Sequence, residues 1–293
     1  MTERPVCLIA NPSAGGGRTA KLLPAVEGAL RGHGIAFRVE RTHSIEHARE
    51  LARSTIAAGE VAAAMGGDGL LGAIAGELRH TDGVLAVLPG GRGNDFARKL
   101  GVDSDPVAAC DVLAGGREQR IDVADVNGRA YLGIASSGID SDCGDIANAT
   151  RLRAKLGQFV YVYAVLRAVR AWRPARWEVV IDGQPRSFVG YSVAVCNSGV
   201  FGGGMFLAPD AKLDDGVLEV VMIADMPKRK YLGSLPKVYT GAHIREPGVE
   251  LVQAREVAFH ADRPFNVQAD GDPIGDLPAT VRVQRGALRV MVP

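Results

Sequence analysis

Cysteine is scarce in this chain: four residues in 293, Cys7, Cys110, Cys143 and Cys196, with no Cys-x-x-Cys pair. These spacings argue against a disulfide framework or a structural zinc, and read as buried, reduced thiols. Long apolar runs are missing as well. Nothing approaches the roughly 18 residues of a membrane-spanning helix. The opening MTERPVCLIANPSAGGG carries too short an apolar stretch for a signal peptide, so the expected location is the cytoplasm. Neither sign of charge dominates. The net charge is +1, and no whole-molecule field argues for a nucleic-acid partner. Six histidines fall at no metal-ligand spacing and read as structural or surface residues. Two phosphate-binding signatures are also absent. There is no GxxxxGK[ST], and the loop after the first strand reads GGGRTA where a dinucleotide fold would show GxGxxG, which disfavours hydride chemistry on a dinucleotide.

Glycine, by contrast, is abundant: 37 residues, many in short clusters, the mark of loops that let backbone approach a ligand closely. The length predicts about two domains. The first third alternates regularly. Strands are expected at 6–10, 37–42, 61–65 and 84–89. Helices are expected near 18–31, from Ser44 to Ala58, over LLGAIAGEL after a GGDG loop, and over NDFARKL with Asn94 or Asp95 as its N-cap. Strand, loop and helix repeated four times predict a parallel, Rossmann-like sheet with helices on its faces.

Beyond about residue 118 the texture changes. Asn127-Gly128 separates RIDVADV from RAYLGIA, and Asp182-Gly183 separates WEVVI from SFVGYSVAVC. Both are two-residue hairpin signals. LEVVMI, REVAFHA, FNVQA, TVRVQ and LRVMV follow with period-two patterning. The fold class is therefore α/β plus all-β, with an antiparallel β-sandwich second. We expect the domains at 1–124 and 125–293, with the extreme C-terminus open to a return to the first domain.

In a parallel sheet, ligands gather at the carboxyl ends of the strands. Three glycine-rich loops fall there: NPSAGGGR (11–18), GGDG (66–69) and GGRGND (90–95). Their N–H groups and the helix N-termini behind them suit phosphate. Asp270-Gly271, after FNVQA, reads either as a hairpin turn or as part of a site.

Taken in order, the motifs resemble the diacylglycerol kinase catalytic family, which includes bacterial lipid kinases and, more distantly, sphingosine and ceramide kinases. The resemblance is carried by Asn11-Pro12-Ser13-Ala14-Gly15-Gly16-Gly17, Gly66-Gly67-Asp68-Gly69, Leu88 to Ala97 (LPGGRGNDFA), Gly202-Gly203-Gly204 with Ala208 to Gly216 (APDAKLDDG), and Asp270-Gly271-Asp272. It implies an ATP-holding α/β domain, a β-sandwich domain, and Mg²⁺-dependent transfer of the γ-phosphoryl of ATP to a lipid hydroxyl. Asn11, Pro12, Ser13, Ala14, Gly15, Thr42 and Gly66 to Gly72, which includes Leu70 and Leu71, would line the nucleotide. Arg92 is a cation available to phosphate, and Asn94 shares its loop. Asp68 would act at the phosphate–Mg²⁺ centre, and Asp95 would help hold that arrangement. Asp270 would be the base and Asp272 its helper. Lys212 (through its carbonyl), Asp215 and the Val217 carbonyl match a structural Mg²⁺ site of some bacterial members.

A lipid kinase must reach a bilayer. From Arg151 to Trp177 lie Arg151, Arg153, Lys155, Arg167, Arg170, Arg173 and Arg176, with no acidic residue between them. Phe159, Tyr161, Tyr163, Leu166, Trp172 and Trp177 are interleaved with these cations. Such a stretch suits an anionic membrane surface, or is a helix with solvated arginines. The implied location is the cytoplasm at the inner membrane face; a homodimer is left open.

The chain also departs from the family pattern. Leu70, Gly72 and Ala73 stand where GGDGTxNE has Thr, Asn and Glu, Arg92 stands for the Thr of GTxND, and Asp272 replaces the Glu of DGE. An active kinase on diacylglycerol or a similar neutral lipid is the leading reading. A catalytically weakened regulator of the same fold, a sphingoid- or ceramide-type kinase and, on GGDG alone, an NAD kinase are the alternatives.

Overall fold

The computed structural model describes residues 4–150 and 159–293. Its first four strands are β1 (Val6–Ala10), β2 (Phe37–Arg41), β3 (Val61–Gly66) and β4 (Val84–Pro89), paired in parallel in the order β2-β1-β3-β4. Every residue of β1, β3 and β4 is buried, as befits parallel strands covered on both faces. The covering helices are α1 (Ala14–Gly32), α2 (Ile45–Ala58) and α3 (Asp68–Leu78), with the short α4 (Asp95–Lys99) and α5 (Asp111–Gly115) after β4. Gly15, Gly16 and Gly17 have φ of 62°, 70° and 91°, so the right-handed part of α1 begins at Arg18. Ser44 caps α2, its Oγ accepting the His47 N–H at 3.0 Å.

β5 (Arg117–Val126) passes from the first region, whose core takes Ile121 and Val123, into the second, which holds β6 (Arg129–Tyr131), β7 (Ile134–Gly138), α6 (Ile139–Ala149), α7 (Phe159–Ala171), β8 (Ala175–Ile181) and β9 (Gln184–Cys196). The small ribbon of β10 (Val200–Phe201) and β11 (Met205–Phe206) follows, then β12 (Leu218–Ala224), α8 (Lys228–Ser234), β13 (Val249–Ala254), β14 (Glu256–Ala261), β15 (Asn266–Ala269), β16 (Asp272–Asp276) and β17 (Ala279–Val292). Apart from the end of β17, its pairings are antiparallel, and it is the β-sandwich region expected from the alternating strands. Both predicted hairpins form. Asn127-Gly128 and Asp182-Gly183 have positive φ at both central residues, the requirement of a type I′ turn.

β17 joins the two regions. It runs antiparallel to β5 along its length, while Arg289 and Val290 pair in parallel with Val84 and Leu85 of β4. The parallel and antiparallel strands thus form one 15-stranded sheet. Each region keeps its own core: Leu8, Met65, Leu71 and Ile74 in the first, Tyr131, Trp177, Tyr191 and Phe259 in the second.

The aromatic content of the basic stretch needs correction. Trp172 and Trp177 are core residues, 4% and 0% exposed. β8 alternates strictly, so Trp177 points inward between outward Arg176 and Glu178. Trp177 stacks on Phe265 at 5.4 Å and Trp172 on Tyr191 at 5.6 Å, while the Arg263 guanidinium sits 4.7 Å from the Trp172 ring. What α7 presents outward is Val162, Leu166, Arg167 and Arg170, with Arg173 and Arg176 just beyond it. Arg151, Arg153, Lys155 and the side chains of Phe159 and Tyr161 lie outside the described residues. No helix among the described residues is long and apolar enough to cross a membrane.

Candidate active site

The three glycine-rich loops meet at the carboxyl edge of the parallel strands, and glycine is what lets them meet. A Cβ on Gly15 would stand 2.5 Å from the Gly90 carbonyl oxygen. One on Gly90 would stand 2.2 Å from Thr19 Oγ1, and one on Gly91 2.6 Å from Gly67 Cα. A side chain would therefore have to displace backbone at Gly15 and Gly91, and the Thr19 side chain at Gly90. Gly17, by contrast, faces open space, and the one neighbour of a Cβ at Gly16 would be the Arg92 guanidinium at 3.7 Å. Closed where loop meets loop and open where Arg92 reaches over, this edge fits a phosphate chain. Asn11 shapes its start, its Oδ1 accepting from Ser13 N–H (3.1 Å) and Ser13 Oγ–H (2.8 Å). Pro12 and Ala14 are half-buried beside it. Thr42 is buried directly after β2, its N–H donating to Ala10 O at 2.8 Å.

α3 begins earlier than expected, at Asp68 with Gly67 as N-cap, so GGDG is half loop and half first turn. Leu70 and Leu71 are 4% and 1% exposed and pack into the first core; only their backbone can border a ligand. Asn94 is the N-cap residue of α4, one of the two expected, but its side chain makes no capping bond. Asn94 ties back to Gly91, accepting its N–H at 2.9 Å and donating to its carbonyl at 3.1 Å. Asp68 caps α4 from a distance: Oδ1 accepts the Phe96 N–H at 3.1 Å and Oδ2 the Asp95 N–H at 3.4 Å.

Asp95 then reaches the second region. Its carboxylate accepts the Gly203 N–H from both oxygens (3.1 and 2.9 Å) and the Arg98 guanidinium at 2.8 Å. Burial, and next the charge of Asp68, push its carboxyl upward, against the pull of Gly203 and Arg98.

Asp270 faces this edge from the second region. Asp270 and Gly271 have φ of 51° and 90° and close the β15–β16 hairpin. The turn and the candidate base are thus one residue. Its Oδ1 accepts N–H bonds from Gly133 (2.9 Å) and Ile134 (3.1 Å), and its Oδ2 one from Leu132 (2.9 Å). Burial raises its pKa to about 6, with the charge of Asp68 adding to the rise and the three N–H bonds opposing it. Asp272 is exposed, its Oδ2 3.0 Å from where a Gly69 Cβ would be. The charge of Asp68 is felt at both Asp95 and Asp270, and Asp272 stands beside Gly69, so the four aspartates border the same edge, too loosely arranged to hold a metal by themselves.

The Lys212, Asp215, Val217 trio lies apart from this cleft on the loop before β12. There Asp215 Oδ1 accepts the Val217 N–H at 3.2 Å, and the half-buried Lys99 ammonium donates to the Ala211 carbonyl. Among the described residues no group of three or more His, Cys, Asp or Glu is arranged to hold a metal.

Sequence reasoning missed the seat of Asp270, Leu132 to Ile134, because a backbone N–H has no residue signature. The glycine at 133 was the available signal: a Cβ there would stand 2.4 Å from Asp270 Oδ1. It also left the role of Gly203 unassigned, although Gly202, Gly203 and Gly204 all adopt positive φ.

Two family models match the chain: the diacylglycerol kinase catalytic domain over residues 5–126, and the YegS C-terminal NAD kinase beta sandwich-like domain over residues 133–292. The chain is 33% identical to a diacylglycerol kinase of Mycobacterium tuberculosis, covering 98% of this chain and 95% of that protein. It is 31% identical to a "Probable lipid kinase YegS-like" protein of Pseudomonas fluorescens, covering 100% and 97%. A crystal structure of a diacylglycerol kinase from Bacillus anthracis shares the fold, with a TM-score of 0.77 at 20% identity and coverage of 100% and 98%.

Proposed function

This chain belongs to the diacylglycerol kinase family of lipid kinases, and from that premise we propose that it transfers the γ-phosphoryl of ATP, as its Mg²⁺ complex, to the hydroxyl of diacylglycerol or a similar neutral lipid alcohol. The observation that carries the reading is Asp270: a carboxylate held by three backbone N–H groups, raised to about 6 by burial, facing the glycine edge across the cleft. A base is most useful with a pKa near the working pH. Bound Mg²⁺ supplies neutralisation of the charge gathered on the transferring phosphoryl. The chain's own residues do the rest. The loops at Asn11 to Gly17, Gly66 to Asp68 and Gly90 to Asn94 orient the phosphates. Arg92 adds positive charge. Asp68 and Asp95 hold α4 and the Gly203 ribbon in register with them. Asp270 takes the acceptor's hydroxyl proton as its oxygen bonds to the γ-phosphorus; the bond to the β–γ bridging oxygen breaks and its electron pair leaves with ADP.

In this reading the nucleotide lobe is 1–124 and the acceptor lobe 125–293, with β17 bracing both, and α7 meets the bilayer through Leu166 and its arginines. The test is labelled ATP with a panel of lipid alcohols: transfer by wild type, lost in Asp270→Asn, is expected. No labelled lipid from any member overturns it. A second reading, a silent nucleotide- or lipid-binding regulator, is favoured by one observation, the engagement of both Asp68 oxygens in capping α4. Liposome binding without turnover supports that reading; Asp68-dependent turnover excludes it.

A further inference from the structure

The two oxygens of Asp270 are not equivalent. Oδ1 accepts two N–H bonds, from Gly133 and Ile134, while Oδ2 accepts one, from Leu132. A carboxylate oxygen has two lone-pair sites, so among the described residues Oδ1 is filled and Oδ2 keeps one free. The surroundings differ in the same sense. On the Oδ1 side the backbone is closed, with no room for a Cβ at Gly133. On the other side is Gly72 of α3, where a Cβ would find one neighbour within 4 Å, Oδ2 of Asp270 at 3.7 Å.

Gly72 does not need to be glycine for its backbone. It is not among the glycines with positive φ, and it lies in the interior of an 11-residue helix, where glycine weakens the element relative to any ordinary helix former. Nor does it need to be glycine to avoid a collision, since 3.7 Å is an ordinary contact distance. What its missing side chain provides is room beside the one unfilled oxygen of the candidate base.

We infer that Oδ2 of Asp270 is the atom that receives the acceptor's proton, and that Gly72 sets which acceptors can present a hydroxyl to it. With no side chain at 72, the cleft admits an alcohol whose hydroxyl-bearing carbon is itself substituted, a secondary alcohol or a polyol or sugar head on a lipid, as well as a primary CH₂OH. This assigns Gly72 to the acceptor side of the cleft, where the motif alone placed it with the nucleotide. The inference rests on the kinase reading and deepens it.

The test uses the full chain, labelled ATP and three acceptors in mixed micelles: 1,2-diacylglycerol (primary), 1,3-diacylglycerol (secondary) and a xylosyl diacylglycerol (a sugar head with secondary hydroxyls only). Wild type is expected to label all three. Gly72→Leu is expected to lose at least about 100-fold in kcat/KM on the secondary and sugar acceptors, and at least about tenfold less on the primary one, the range a mis-sized pocket can discriminate. Gly72→Ala falls between, so the loss grades with side-chain volume. Nucleotide affinity, titrated separately, shifts by far less than the lipid kcat/KM, and the melting temperature does not fall, because both replacements favour helix. Equal losses on all three acceptors overturn the inference, as does a Gly72→Leu enzyme within about threefold of wild type on the secondary alcohol, or a wild type confined to the primary one. No label in any acceptor, wild type included, overturns the kinase reading itself and this inference with it.

Discussion

The two sides of the cleft are built in opposite ways. On the proposed nucleotide side, each loop is a short run of sequence that follows its own strand, and the loops meet because glycine leaves nothing between them. On the proposed acceptor side, the candidate base Asp270 is held by N–H groups 136 to 138 positions earlier in the chain. The first side is local in sequence and written in side-chain absence. The second is assembled by strand pairing, with Ala269 of β15 opposite Ala135 of β7, which brings the turn at 270 over the loop at 132–134. A site of the first kind is sensitive to bulk within its own motif. A site of the second kind is sensitive to anything that shifts one strand against another.

The largest test of the contrast is Asp270→Asn, expected to lower kcat about 10²–10⁴-fold, the usual contribution of a general base, with ATP binding retained. If ATP binding disappears as well, the two sides are not separable. Next is Trp177→Ala, which removes a fully buried ring from the second core and is expected to cost about 3–5 kcal/mol of stability. Chemical denaturation followed by separate probes in each region would show the loss in the antiparallel region first.

A sharper pair is Gly133→Ala against Gly90→Ala. Each forces a methyl into occupied space and is expected to cost about 1–3 kcal/mol. Gly133→Ala displaces Asp270 and should appear in kcat. Gly90→Ala spreads the glycine edge at Thr19 and should appear in the KM for ATP. Steady-state kinetics of both variants would erase the comparison if the effects were reversed.

The smallest expected effect is on pH. Asp270 must be ionised to accept a proton, and burial raises it to about 6. Activity should therefore rise with pH up to that value and level off above it. Stability runs the other way. A carboxyl raised in the folded state binds its proton more tightly there than in the unfolded chain, so its ionisation costs stability as pH climbs from about 4 to about 6. Asp68→Asn removes the negative neighbour and should move the activity limb to lower pH, by less than about one unit; a pH–rate profile checks it.

Much of the fold was readable because its signals are short-range. Apolar runs bounded by glycine loops, Ser44 before α2 and Asx-Gly between strands each act within a few residues, and each formed where expected. The same rule explains what could not be read. Whether Trp172 and Trp177 face a membrane or a core depends on what packs against them, and Tyr191, Phe188 and Phe265 come from β9 and the segment before β15. Asp68 reads as an active-site carboxylate, yet the N–H groups it caps belong to a helix 27 and 28 positions later.

By itself the sequence determined the parallel fold of the first region, the hairpins, the family and a small set of candidate aspartates, because glycine, Asx-Gly turns and alternating apolar residues act through local backbone energetics. Tertiary structure alone decided which of those aspartates come near one another, that Asp270 keeps one oxygen free, and that Gly72 opens toward it. These are properties of distances between atoms far apart in the chain, and no local preference encodes them.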